Sequence, residues 1–141
     1  MKIYLDNCCF NRPFDDQSKL KIHLETEAKL YLQQQIVKGK IKLILSYILD
    51  YENLANPYEE KRLAIEDFKK YTSENVTESQ SLINTAEAIV VKYRVKPKDA
   101  LHIACALEAK ANILVTMDSD LIKRAATCLC IMNPIQFVIN L

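Results

Sequence analysis

Short apolar runs and helical apolar stripes alternate along this chain. Lys2–Leu5 is an apolar run that stops at Asp6 and predicts a first strand. From Lys19 to about Lys38, the positions Leu20, Leu24, Ala28, Tyr31, Leu32 and Ile36 recur at helical spacing, and Gly39 follows as a helix stop. Ile41–Leu45 predicts a second strand, ended by Ser46, and Ser46–Ala55 a helix that stops near Pro57. A charged helix over Tyr58–Tyr71, a polar turn and a helix from about Glu78 to Tyr93 come next. Pro97 suits the first turn of a helix over Lys98–Ala109. Ile113–Thr116 predicts a third strand, Leu121–Ala126 a short helix and Cys128–Met132 a fourth strand, while Asn11–Asp16 reads as a loop. Apolar strands alternating with helices predict an α/β domain built on a parallel sheet.

The chain has 141 residues and no internal repeat or linker, so residues 1–141 are read as one domain. Half of it is hydrophobic and 26% is charged, a globular rather than a disordered composition. It contains a single glycine, Gly39. Walker loops, GxGxxG turns and GxSxG elbows each need several glycines, so all three are excluded. A net charge of +1 gives no global reason to expect nucleic acid. The N-terminus lacks the apolar run of a signal peptide, and no stretch approaches the roughly 20 apolar residues of a spanning helix. A cytoplasmic protein with no membrane association is the expectation. Cysteines 8, 9, 105, 128 and 130 lack zinc-site spacing and read as buried small hydrophobes.

Ligands of an open parallel sheet bind beyond the carboxyl ends of its strands. Asp6 closes the first strand and Asp118 follows the third, although an aspartate in either place equally suits a helix cap. Glu52 lies among Ile48, Leu49, Tyr51 and Leu54 on the helix after the second strand. Asp99 opens a segment, Ala100–Leu107, that is apolar almost all round, and such a helix is buried. A buried unpaired carboxylate is costly, so Asp99 needs a basic partner, a backbone cap or a cation. Four acids converging in one cleft would repel one another, and a hard divalent cation relieves that repulsion. Magnesium and manganese take oxygen ligands, and no His/Cys grouping favours zinc. These residues point to metal-dependent phosphate chemistry without specifying which.

Four segments carry a resemblance: Leu5-Asp6-Asn7, Ser46 with Glu52 six residues on, Lys98-Asp99-Ala100-Leu101-His102-Ile103-Ala104, and Thr116-Met117-Asp118-Ser119-Asp120-Leu121. In this order, from residue 2 to about 124, they resemble the motifs of a PIN domain, the fold of the VapC-type toxin ribonucleases. One departure is that Asn7 follows the first aspartate at once and Cys8 comes next, where relatives often carry a small polar residue and then asparagine. The resemblance implies a PIN-like three-layer α/β domain, with a central parallel sheet of about four to five strands flanked by helices. It implies an endoribonuclease dependent on Mg2+ or Mn2+, hydrolysing RNA phosphodiester bonds with a divalent-metal-activated water. Such proteins are often the toxin of a toxin–antitoxin pair, with an antitoxin partner, and often homodimers. Carried over by position, Asp6, Glu52, Asp99 and Asp118 are the catalytic acids, with Asp6, Asp99 and Asp118 holding the metal. Asn7, Ser46, Thr116 and Asp120 would support them, and Arg12 would contact RNA.

Plainer roles stand beside these. His102 shares a helix face with Asp99 and reads as a hydrogen-bonded core histidine. Ser46 and Thr116 are either strand-end caps or hydroxyls bonding the acids. Arg12 pairs either with RNA phosphate or with Asp15 or Asp16. Arg94, Lys96 and Lys98 suit a backbone-binding rim or a solvated loop. A haloacid-dehalogenase-type phosphatase would need a second aspartate two residues after Asp6, where Cys8 stands. The layout of a receiver domain is not evident. A catalytically inactive PIN-like binding module, acting through protein or RNA contact, is the alternative function, yet no motif acid is missing. Drawing four of the 18 acids into one cleft would leave a mildly basic exterior, compatible with RNA.

Overall fold

A computed structural model describes residues 1–141. Five strands, β1 (Lys2–Leu5), β2 (Lys42–Ser46), β3 (Thr72–Val76), β4 (Ile113–Val115) and β5 (Ile131–Met132), form one sheet in the order β3-β2-β1-β4-β5. Every neighbouring pair is parallel. The helices are α1 (Asn7–Asn11), α2 (Leu20–Val37), α3 (Tyr47–Leu54), α4 (Glu59–Phe68), α5 (Gln80–Tyr93), α6 (Pro97–Glu108), α7 (Ser119–Arg124) and α8 (Pro134–Ile139).

The two-residue side-chain period of the strands divides the core in two. Ile3, Leu5, Leu43, Leu45 and Val115 meet Phe10, Leu32, Ile36, Ile65, Phe68 and Phe137 on one side of the sheet. Tyr4, Ile44 and Leu114 meet Leu82, Ala86, Ile89, Ala100, Ile103 and Ala104 on the other. Helices on both faces make the three-layer α/β arrangement expected. The chain steps outward through β1, β2 and β3, then crosses back to lay β4 against the free edge of β1. That reversal opens a crevice at the carboxyl ends of β1 and β4, where open α/β sheets hold their ligands.

Gly39 ends α2 as expected. It has a φ of 75°, its N–H bonds to the carbonyl of Ile36, and the N–H of Lys40 bonds to that of Gln35. These two bonds satisfy the last carbonyls of the helix, and the left-handed backbone suits glycine.

Five local expectations need correction. The stretch read as a polar turn before Glu78 is the edge strand β3, paired with β2 through its backbone while only Val76 is buried. An edge strand has a solvated side, so its sequence shows no apolar run. Residues 7–14 are helical: α1 runs directly into a 3-10 turn over Arg12–Phe14, so the expected loop is confined to Asp15 and Asp16. The fourth predicted strand contracts to Ile131–Met132, and α8 lies beyond it. On α2, Leu20, Leu24 and Tyr31 are exposed, while Glu25 and Lys29 join Ala28, Leu32 and Ile36 on the buried side. Among the cysteines, Cys9 and Cys105 are buried as expected, but Cys130 is exposed, and all five are free.

Candidate active site

The crevice at the strand ends is a cavity of about 510 Å³ whose walls include Asp6, Glu52, Asp99 and Asp118 together. Asp6 extends β1, its N–H bonded to the carbonyl of Val115 on β4. Its Oδ1 accepts the N–H of Asn7 at 2.7 Å, capping α1, and its Oδ2 accepts the Thr116 hydroxyl at 2.9 Å. The Thr116 Oγ1 in turn accepts the N–H of Asp118 at 3.2 Å, so one buried hydroxyl ties the two strand-end acids together. Asp118 Oδ1 caps α7 by accepting the N–H groups of Asp120 and Leu121. Both strand-end acids are therefore caps and cavity walls at once; the two roles do not compete.

Asp99 is different. It sits in the first turn of α6, half-buried, and its carboxylate accepts no hydrogen bond from the protein; Lys96, at the cap position, makes no side-chain cap either. Of the three ways to satisfy Asp99, the backbone cap is ruled out. Burial first, then the charges of Asp6 and Asp118, push its carboxyl above the usual range. Excess negative charge held by hard oxygen donors is what a divalent cation offsets. The donor set fits magnesium or manganese, although no three side chains are already drawn together as a closed coordination shell.

Glu52, on α3, is held from behind. Its Oε1 lies 2.6 Å from Nε2 of the buried His102. Burial acts to raise the Glu52 carboxyl, but the His102 hydrogen bond and charge, with Lys98 and Asn7, hold it below its ordinary value. For His102, burial opposes the charge, yet the hydrogen bond to Glu52 and the charges of Asp6, Glu52 and Asp99 raise its pKa. The other ring nitrogen, Nδ1, is 2.6 Å from the hydroxyl of Tyr4, which is itself 2.6 Å from Ser46 Oγ. Ser46 also caps α3 through the N–H of Ile48. It therefore reaches Glu52 only through Tyr4 and His102, whereas Thr116 bonds Asp6 directly.

The remaining expected residues divide. Asn7 lines the cavity, as does Arg12, whose guanidinium bonds Asp15 Oδ2 at 3.0 Å and faces the fully buried Glu25 at 3.4 Å. The Nδ2 of Asn133, at the start of α8, donates to the other Glu25 oxygen. Asp120 is not brought to the cavity; it is exposed and pairs with Arg124 at 2.8 Å. Lys98 reaches the rim, while Arg94 and Lys96 are exposed and outside it. Sequence reasoning missed Tyr4 and Glu25, which looked like ordinary strand and helix residues. His102 was recognisable as a core histidine but not as the partner of Glu52, although its spacing from Asp99 placed it on the site-facing side of α6.

A family model described as PIN domain matches residues 3–127. The chain belongs to the PIN domain family. Two solved structures share the PIN fold at low sequence identity. FitAcB from Neisseria gonorrhoeae is 14% identical, with a TM-score of 0.65 over 94% of this chain and 97% of that one. VapBC2 from Rickettsia felis, solved bound to a DNA fragment from its promoter, is 15% identical, with a TM-score of 0.67 over 94% and 98%. No curated protein matches the chain. No helix of this PIN domain is long and apolar enough to cross a membrane.

Proposed function

We propose that this PIN domain is an endoribonuclease dependent on Mg2+ or Mn2+, acting as the toxin of a toxin–antitoxin pair in the cytoplasm. The observation that carries this reading is the unpartnered, half-buried Asp99 carboxylate facing Asp6 and Asp118 in the strand-end crevice. Asp6, Asp99 and Asp118 would hold the ion; Asp6 and Asp118 each commit an oxygen to a helix cap, which fixes both side chains before any ligand arrives. The ion, when bound, supplies charge neutralisation at the phosphate and eases deprotonation of water. Glu52 and the Asn7 amide face the same space. Arg12, clamped by Asp15 and Glu25, presents its remaining N–H groups to a phosphate oxygen. Hydrolysis forms a bond from water oxygen to phosphorus and breaks the bond from phosphorus to the leaving nucleoside oxygen.

A protein partner fits the exposed apolar side chains Tyr51, Leu54, Tyr58 and Leu63 on α3 and α4, and Leu20, Leu24 and Tyr31 on α2. An antitoxin or a second copy of the chain would cover such surface. The deciding experiment measures cleavage of single-stranded RNA with added Mg2+ or Mn2+, comparing the native chain with Asp6→Asn and Asp99→Asn. Loss of cleavage in both variants is expected. Cleavage that survives either substitution overturns the assigned site, and RNA binding without cleavage or metal binding supports the inactive binding module instead.

A further inference from the structure

The four acids of the crevice are not equivalent, and the difference lies behind Glu52. Tyr4 on β1, Ser46 at the end of β2 and His102 on α6 are all buried. They form one hydrogen-bonded line that ends on Glu52 Oε1, each contact 2.6 Å long. An ionised carboxylate only accepts hydrogen bonds, so Nε2 of His102 carries the proton at that contact whether the ring is neutral or charged. Tyr4 stays a phenol, because burial first, and nearby acidic groups second, raise its pKa well above the usual value. Its ring also stands edge-on to the imidazole at 5.5 Å between centroids. The imidazole is thus held at both nitrogens, by Glu52 at Nε2 and at Nδ1 by a Tyr4 hydroxyl that Ser46 anchors from its other side.

Resting on the nuclease reading above, we propose that His102 is a positioning residue for Glu52. It takes Oε1 permanently and leaves Glu52 a single oxygen for the crevice. A carboxylate with one oxygen committed to a 2.6 Å charge-assisted bond is a poor bidentate ligand but a well-aimed acceptor. Asp6 and Asp118 also commit oxygens, but to neutral backbone amides and a hydroxyl, whereas the donor on Glu52 is an imidazole that competes with a cation for the same oxygen. Glu52 is accordingly the group that would orient the attacking water through Oε2, while Asp6, Asp99 and Asp118 would hold the ion. Asp99 contrasts with it at every point: no hydrogen bond, and neighbouring carboxylates rather than a donor.

The amide of glutamine overlays the Nε2 side of histidine, and that of asparagine the Nδ1 side, which allows the two contacts of His102 to be separated. His102→Gln keeps a donor to Glu52 and loses Tyr4; His102→Asn does the reverse. With single-stranded RNA and Mn2+, kcat for His102→Asn should fall at least about tenfold with little change in KM, while His102→Gln recovers most of the rate. Combining His102→Asn with Glu52→Gln should lower kcat no further than Glu52→Gln alone. Titration calorimetry should give Glu52→Gln the Mn2+ affinity of the native chain, and Asp99→Asn a much weaker one. In the metal-free protein, the imidazole Nε2–H proton should resonate far downfield and lose that shift in Glu52→Gln.

Equal rates for the two His102 variants, or asparagine outperforming glutamine, overturn the proposal and leave His102 a filler of the core. So does a Glu52→Gln loss of Mn2+ affinity matching that of Asp99→Asn. If Asp99→Asn binds Mn2+ and cleaves normally, it is the nuclease site itself that fails. The imidazole proton then still reports whether His102 holds Glu52. If neither His102 variant folds, Tyr4→Phe carries the test: it removes the outer anchor while keeping the Nε2–H donor, and should lower kcat less than Glu52→Gln.

Discussion

Lys29 is a buried amine without a carboxylate partner, and replacing it by methionine should stabilise the protein at neutral pH. Only 6% of the residue is exposed. Its Nζ donates to Gln33 Oε1 at 2.7 Å and stands 5.4 Å and 5.8 Å from the ring centroids of Phe10 and Phe68. Burial lowers the pKa of this amine from 10.5 to about 8, only partly opposed by Cys9. At about 1.4 kcal/mol per pH unit, keeping Lys29 charged costs the native state about 3 kcal/mol. Below pH 8 both native and unfolded chains carry the proton, so the whole cost is present. Between pH 8 and 10.5 the native chain releases it first, the unfolded state binds more protons, and stability contributed by this residue rises.

Lys29→Met keeps the stem and the aromatic contact but discards the charge and the bond to Gln33. Offsetting about 3 kcal/mol by about 1 kcal/mol each for the hydrogen bond and the ring attraction leaves about 1 kcal/mol of net stabilisation at pH 7. The assay is urea unfolding of both proteins, in reductant, at intervals from pH 7 to 10.5. The native chain alone is a poor readout, since the Cys105 thiol, pushed up to about 11 by burial, makes stability fall over the same range. That contribution cancels in the difference between the two proteins. The advantage of the variant should shrink by up to about 3 kcal/mol and change sign as pH rises. A difference that stays flat from pH 7 to 10.5 would refute the reasoning, because Lys29 would then titrate as a solvated amine.

The site yields two further expected outcomes. Asp99→Asn should raise the melting temperature of the metal-free protein at pH 7. The raised carboxyl of Asp99 makes stability fall as pH climbs through the carboxylate range, since the unfolded state ionises first; the gain should therefore vanish near pH 3. Glu25→Gln leaves the guanidinium of Arg12 facing a neutral amide in the core and should cost about 2–3 kcal/mol in urea unfolding. Part of the usual penalty for breaking a buried pair is spared because the Arg12 side chain is 22% exposed and can turn toward water.

The strand ends and the four acids were legible because both signals are local. An apolar run stopping at Asp6, or at Thr116-Met117-Asp118, marks a strand end, and parallel pairing puts all such ends on one side of the sheet. The edge strand β3 was not legible, because backbone pairing with β2 defines it and three of its five side chains are exposed. Nor was the true inner face of α2. Leu20, Leu24 and Tyr31 look like core by periodicity, yet the face that meets the sheet carries Glu25 and Lys29. Partners from other elements make that possible: Arg12 and Asn133 around Glu25, and Phe10 and Phe68 around Lys29. A charged residue on a buried face is legible only once its partner is known, and the nearest of these partners stands more than three helical turns away along the chain.

Glu52 was legible as a candidate acid and its buried partner was not, for the same physical reason. Its motif position is set by the chain around Ser46, but its carboxylate bonds His102, separated by 50 positions. What anchors His102 in turn is Tyr4, a strand residue whose side chain points away from Ile3 and Leu5, into the layer where α6 packs. Because β1 is the central strand, the Tyr4 hydroxyl reaches both the end of β2 and α6. A phenylalanine there would fill the same space and leave Ser46 and His102 without a common partner. The hydroxyl at position 4 is therefore what ties the sheet to the imidazole that bonds Glu52, and it can do so because the strand order puts β1 between β2 and β4.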